Sequence, residues 1–554
     1  MNKPETYSTR AYYTGPAALH RRAVYKGIGL TDADLDRPLI AVVNTYSEVC
    51  PGHFHLRELV RSVKAGIWQA GATPLEFSTI SQCATQTLGL PGIRYDLPAR
   101  ELIALDIETI VETQLFDGLV IVTTCDKTIP GALLGAARLD LPTVIVPGGI
   151  METGTVHGQE VSLADLDERV FSGKTRTWSQ EEQALWENCV VPGSGACPIM
   201  GTANTMQILS EVLGISMPFS STKTANSAAQ LRLAKEAGRR IVELVQNNVR
   251  FSRIATREAL ENMTAAAMAL GAASNSILHM LALSHELGCE DRINLEHIAR
   301  ISREIPCILD VKPVGSRYLN ALEAAGGVPA VLSRLTPWLH GETVGVSGVP
   351  MSELCRRGAA LLEASGSDVV HTTEDPVMHN GGIMVLRGNL ADSAIVRAFR
   401  HSRNTFRGQA KVYDTQEAAI EAVRQKEVRP GDVLVLRFMG PQGGPGMPDC
   451  FGVASAVVGA GLEETVAVIT DGRFSGFARG VGVCQICPEA AVGGGLSRVR
   501  TGDTIVIDTE QGLLQDLAED FSTRDAAPCQ KEEERGILRI YARIAGPAAT
   551  GARL

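Results

Sequence analysis

Three consecutive side chains of different chemistry, Cys125, Asp126 and Lys127, stand in the run FDGLVIVTTCDKTIPGALLGAARLDLPTVIVPGG. A thiolate is a soft ligand that suits iron or zinc, a carboxylate is a hard one that suits magnesium, and an ammonium repels any cation until its charge is masked. A trio of this kind at one loop can serve two different metals. A second cysteine, Cys197, lies in VPGSGACPIMGTANTM, among small residues just ahead of a helix expected to begin near Thr202. The amino terminus of a helix favours a thiolate. Iron–sulfur sites recruit thiolates from distant loops, so Cys197 joins Cys125 as a candidate cluster ligand.

In NTYSEVCPGHFHLRELV, Cys50 is followed closely by His53 and His55. Cysteine and histidine this close could bind zinc or iron, although the spacing is not a strong zinc pattern and His55 could equally cap or pack the next helix. The run RFMGPQGGPGMPDCFG lacks the Gly-Lys-Ser/Thr ending of a phosphate loop. Its use is a rigid turn that either holds Asp449 toward a cleft or joins two domains. VITDGRFSGFARG places Ser475 directly after an apolar strand, without the spacing of a nucleophile elbow. A serine beside a cation can act as a base through its alkoxide; otherwise it caps a helix. Cys484 and Cys487 have C-x-x-C spacing with no second pair, which points to core packing.

These groups need a scaffold. Leu119 to Val122 reads as a buried strand, Pro130 to Leu139 as a helix opened by proline and Thr143 to Val146 as the next strand, a βαβ unit. The trio at 125–127 therefore falls past the carboxyl end of a parallel strand, where open α/β sheets place ligands. Strand-like and helical patterns alternate from about residue 35 to 365, including a strand from Pro38, a helix over 54–70, and helical candidates over 204–213, 225–247 and 256–287. The segment ASGSDVVHTTEDPVMHNGG, residues 364–382, marks a change of character. Short strands with glycine turns follow, among them Asp432 to Phe438, Thr465 to Thr470, Thr504 to Ile507 and Ile537 to Ile544, which suggests a β-rich, barrel-like second domain. The expected fold is α/β, with an amino-terminal α/β/α layered domain over residues 1–370 and a carboxy-terminal barrel-like domain over 380–554.

The chain has 554 residues, too many for one core, with 45% hydrophobic and 21% charged residues. A net charge of -10 without a long basic run argues against nucleic-acid and membrane partners. No 18-residue apolar stretch and no secretory leader pattern occurs, and the expected location is the cytoplasm. Twelve cysteines spread over so long a chain do not form a disulfide framework. Reduced thiols are expected, most of them, such as Cys189, Cys289, Cys307 and Cys355, as small buried residues.

The runs PGHFHLREL, RYDLPARELIA, CDKTIPG, GACPIMGTANTM, ISREIPCILDVKPVG, GNLADSA, GPQGGPGMPD and TDGRFSGFARG followed by PEAAVGG occur in that order over nearly the whole chain. Together they resemble the dihydroxy-acid dehydratase and phosphogluconate dehydratase family, which includes sugar-acid dehydratases. The resemblance implies a hydro-lyase that turns a 2,3-dihydroxy carboxylic acid into a 2-oxo acid. The alternatives are an aldonate dehydratase or a non-catalytic iron–sulfur sensor on the same scaffold. It implies a small hydroxy-acid substrate, a homodimer or homotetramer, an iron–sulfur cluster of the 2Fe-2S or 4Fe-4S type, and Mg2+. Cys125 and Cys197 match the family's cluster cysteines, Asp126, a carbamylated Lys127 and Asp449 match its magnesium ligands, and Ser475 matches its base.

The chain departs from that pattern in places. Gly52 stands where three-cysteine members carry a cysteine, with Cys50 two residues earlier as a substitute. Ala84 stands where an acidic magnesium ligand is usual, with Cys83 beside it as an alternative soft ligand. Asp449 replaces the commoner glutamate, and Gln485 stands where histidine is frequent.

Overall fold

The computed structural model describes residues 9–397, 405–474, 480–529 and 535–554. Its amino-terminal sheet has four parallel strands, β1 (Leu39–Asn44), β2 (Thr73–Ser78), β3 (Gly118–Thr123) and β4 (Thr143–Pro147), in the order β2-β1-β3-β4. Strands β1, β3 and β4 are buried along their whole length, as continuous Val, Ile and Leu runs covered on both faces require. Edge strand β2 is half open and carries Glu76. Helices Leu56–Gln69, Asp96–Gln114, Thr128–Leu139 and Ala228–Gln246 pack around the sheet, and a short hairpin, β5 (Gly154–Val156) and β6 (Gln159–Val161), follows it.

The contact between Leu56–Gln69 and Ala228–Gln246 is made by glycine. A Cβ at Gly66 would run into the Lys235 carbonyl, and one at Gly238 into the Val63 carbonyl. The two backbones therefore touch directly, which fixes the helix that leads out of the Cys50 loop.

The helical pattern over 256–287 resolves into two helices, Arg257–Ala269 and Asn275–Glu286, separated at Gly271, whose φ of 60° lies in the left-handed region. The sequence hides this break because Ala272, Ala273 and Ser274 are small and buried and interrupt no apolar pattern.

The second half is a closed barrel of strands β7 (Ile383–Gly388), β8 (Ala391–Arg397), β9 (Thr405–Tyr413), β10 (Asp432–Leu436), β11 (Ala467–Thr470), β12 (Val481–Cys487), β13 (Thr504–Asp508) and β14 (Leu513–Asp516). They run around it in the order β10-β11-β12-β8-β7-β14-β13-β9. Val396, Val433, Val435, Ile469, Val483 and Leu514 belong to its own apolar core. Helices Gln416–Arg424 and Phe451–Gly459 make the parallel crossovers from β9 to β10 and from β10 to β11. Cys484 and Cys487 are buried in β12. Cys289, Cys307 and Cys355 are buried as expected, whereas Cys189 is only partly so.

The strand expected at Ile537 to Ile544 is instead the helix Gly536–Ile544. Its β-branched residues suggested a strand, but burial follows the helical period: Leu538 and Tyr541 turn inward, and Ile540 and Ile544 face out. Among the described residues no helix is long and apolar enough to cross a membrane.

Gly238→Ala is expected to force the two glycine-contact helices apart and to lower stability by about 1–3 kcal/mol, the usual range for overpacking. Chemical denaturation of the purified protein measures it.

Candidate metal centre

Three strands of the parallel sheet each deliver one sulfur past the carboxyl end, and a fourth sulfur comes in beside the loop after β4. Cys50 follows β1, Cys83 follows β2, and Cys125 follows β3. Cys197 arrives through Ile150, just beyond β4, which bridges to Ala196. All four cysteines line one cavity of about 100 Å³, together with Asp126 and Asp449. The Sγ atoms of Cys50 and Cys125 are 3.8 Å apart.

Cys125 has a φ of 69°, a left-handed conformation that a non-glycine residue holds only when its surroundings impose it. Gly52 lies against it: a Cβ there would stand 2.5 Å from Cys125 Sγ. Cys125 thus occupies the space that a larger residue at position 52 would need.

The histidines of PGHFH divide. His55 Nε2 is 2.7 Å from the Gly148 carbonyl and pins the start of Leu56–Gln69 to the loop after β4, a structural task. His53 is wholly buried, with Nδ1 2.7 Å from the Thr45 carbonyl and 3.0 Å from its hydroxyl. One ring nitrogen of His53 and the sulfurs of Cys50 and Cys125 all lie within 4.8 Å of one another. Burial pushes the His53 imidazolium down to about 4, so the ring is neutral.

Cys197 sits before the helix Thr202–Val212, but the expected stabilisation of its thiolate does not prevail. Burial pushes its thiol up to about 12. Such a thiol stays protonated until a metal displaces the proton.

Beside the sulfurs lies a buried polar group. Lys127 Nζ is 2.6 Å from Asp126 Oδ2 and 2.9 Å from Asp96 Oδ2. Arg473 Nη2 donates to the same Asp96 oxygen at 2.7 Å, and Arg473 Nη1 lies 3.9 Å from Asp449 Oδ2. Asp126, Lys127 and Asp449, assigned to one hard site from the sequence, are thus brought together.

Asp96 is the member that sequence reading passed over. It stands at the first position of the helix Asp96–Gln114, inside the RYDLPARELIA run, where an acid reads as an ordinary helix-start residue. Burial opposes its charge, yet Lys127 and Arg473 outweigh burial and hold its carboxyl below the usual range. Burial pushes Asp449 up to about 6, against the opposing pull of Arg473 and Lys127.

Ala84 lines the same cavity and starts the turn Ala84–Thr87. Gln485 Nε2 donates to the Ser274 carbonyl at 2.9 Å. Ser475 lies outside the described residues; Phe474 before it is buried.

Residues 37–354 match the model of the dihydroxy-acid/6-phosphogluconate dehydratase N-terminal region, and residues 368–552 match that of the C-terminal region. The dihydroxy-acid dehydratase of Pyrococcus furiosus is 41% identical over 540 residues, covering 96% of this chain and 97% of that protein. The dihydroxy-acid dehydratase of Moorella thermoacetica is 40% identical over 551 residues, or 98% and 99% of the two chains. That of Ignicoccus hospitalis is 41% identical over 550 residues, or 97% and 98%.

Asp96→Asn removes the charge shared by two buried cations. It is expected to destabilise the metal-free protein by about 3–5 kcal/mol, the range for breaking a buried pair. Denaturant titration of wild type and variant side by side gives the difference.

Proposed function

The chain belongs to the dihydroxy-acid/6-phosphogluconate dehydratase family, and on that premise we propose that it is a hydro-lyase that removes water from a 2,3-dihydroxy carboxylic acid to leave a 2-oxo acid. The observation that carries the reading is one cavity lined at once by four cysteines and by the carboxylates of Asp126 and Asp449. A substrate spanning that cavity would meet soft-metal and hard-metal ligands at once.

The donor set fits both groups that the reaction needs. Cys125 and Cys197, with Cys50 beside Cys125, are the thiolates for an iron–sulfur cluster. Asp126 and Asp449 offer hard oxygens for magnesium, and Lys127 joins them once its amine is a carbamate. When bound, the two groups supply Lewis acidity to the departing hydroxyl and positive charge to the substrate carboxylate and the enolate that develops beside it.

The chain's own residues do the rest. Ser475 Oγ takes the proton from C2, the step that makes the C3 hydroxyl a leaving group. Arg473 holds Asp96 and lies beside Asp449, and so keeps the acidic wall in register while the charge on the substrate changes. Leu88, Ile93, Met151, Leu163, Val191 and Ile199 make the rest of the cavity mostly apolar, with Thr85, Thr202 and Asn204 as its further polar side chains. An apolar lining of this kind keeps water away from the reacting carbons and suits a short branched alkyl chain. The hydroxyls of a sugar acid would find few partners there. A branched-chain dihydroxy acid is therefore the favoured substrate over an aldonate.

Anaerobically purified protein is expected to form a 2-oxo acid from 2,3-dihydroxyisovalerate, to stop when magnesium is chelated and to resume when it is restored. Turnover on aldonates alone would move the substrate class, and no turnover on either, with metals present, would overturn the reading. Cys125→Ser and Cys197→Ser should each lose the visible absorbance of the cluster, and a fully coloured variant would remove that cysteine from the set. Ser475→Ala should keep the absorbance while turnover falls by about 10²-fold or more, the scale of a lost general base.

A further inference from the structure

Gly52 leaves one place of the three-cysteine pattern without a sulfur of its own, and the next residue along the chain is His53. The hydrogen bonds of His53 settle its tautomer. A carbonyl oxygen can only accept, so Nδ1, 2.7 Å from the Thr45 carbonyl, carries the ring hydrogen. Nε2 is left with a bare lone pair, is fully buried and has no hydrogen-bond partner.

A buried acceptor without a partner calls for an explanation, and an absent ion is one of the standard ones. Metal-bound histidines show this same arrangement, one nitrogen donating to a backbone carbonyl so that the other presents its lone pair to the metal. Among the described residues, Cys50, His53 and Cys125 are the one group of three His, Cys, Asp or Glu side chains whose ligand atoms all lie within 4.8 Å of one another. His55 also has an unpartnered Nδ1, but it belongs to no such group.

We propose that His53 is a ligand of the iron–sulfur cluster through Nε2, making up together with Cys50 for the sulfur absent at Gly52, so that the cluster of this chain has mixed cysteine and histidine ligation. The inference rests on the dehydratase reading of the site and specifies its ligand set. An imidazole is neutral where a thiolate is negative, and histidine ligation raises the reduction potential of an iron–sulfur centre. Less negative charge around the iron also makes it a stronger acceptor for a substrate hydroxyl.

The test uses the full-length protein purified anaerobically, with iron and sulfide measured, reduced and examined by pulsed electron paramagnetic resonance with and without ¹⁵N-histidine labelling. Wild type is expected to show a strongly coupled nitrogen that changes with the label. His53→Gln should lose that coupling and lose iron faster to a chelator. His53→Cys should lose the coupling, retain iron and show a lower midpoint potential.

A cluster-replete wild type without a strongly coupled histidine nitrogen overturns the assignment. So does His53→Cys with an unchanged nitrogen signal, which remains decisive if His53→Gln does not fold. Absence of iron and sulfide from wild type would instead bring down the cluster reading itself, a separate and recognisable result.

Discussion

The carboxylate of Asp96 is the point on which the two halves of this molecule close. It stands at the start of a helix of the α/β half, accepts from Lys127 at the end of β3, and accepts again from Arg473, which follows β11 of the barrel. One turn further along the same helix, buried Arg100 is paired with Glu101 and donates to the carbonyls of Gly551 and Ala552 near the carboxyl end of the chain. Tyr541 donates to the Ala552 carbonyl as well. Buried ion pairs contribute little net stability once desolvation is counted, but a wrong arrangement of them is severely penalised. Their work here is to permit one relation of sheet edge to barrel rim, the one that brings Asp449 to Asp126.

With that relation set, the rest follows from how parallel sheets end. Four strands running the same way must all finish at one edge, and their loops converge there. The loops after β1, β2 and β3 each bring a sulfur, the loop after β4 holds the Cys197 segment in place, and the loop after β3 adds the carboxylate and the amine. Soft and hard donors line the same cavity, and the change from one to the other falls within the consecutive residues Cys125 and Asp126. The strained backbone of Cys125 belongs to this change, because it turns the sulfur toward Cys50 while its neighbour Asp126 pairs with Lys127. Burial keeps the Cys197 thiol protonated, and any metal bound by such a thiol must first displace its proton.

Much of this was readable from local pattern. The βαβ unit, the barrel-like second half and the meeting of Cys50, Cys125, Cys197, Asp126, Lys127 and Asp449 depend on strand ends and family runs, which are properties of short segments. What escaped was decided by distant partners. Asp96 looks like any acid at a helix start until Lys127 and Arg473, 31 and 377 residues away in the chain, are placed around it. His53 and His55 are two residues apart and each meets a backbone carbonyl, yet only His53 comes within reach of the Cys50 and Cys125 sulfurs, which separates a candidate ligand from a pinning residue. The helix over 536–544 was misread because Ile540 and Ile544 suit a strand, and only the packing of Leu538 and Tyr541 reveals the helical period.

Two of the departures from the family pattern, Gly52 and Ala84, sit in the wall of one cavity and differ in kind: one stands at a soft-donor position, the other at a hard-donor position. Each has a donor of related character close by. Beside Gly52 stand the Cys50 sulfur and the His53 ring, and Ala84 shares its cavity with Asp126, whose partner Lys127 also pairs with Asp96. A metal centre is constrained by the number, hardness and placement of its donors, and much less by which loop supplies them. A scaffold that gathers four strand ends at one edge offers several backbone positions within reach of the same point. Donors can therefore move from one loop position to another while the pairing of soft and hard donors, which the chemistry requires, is kept.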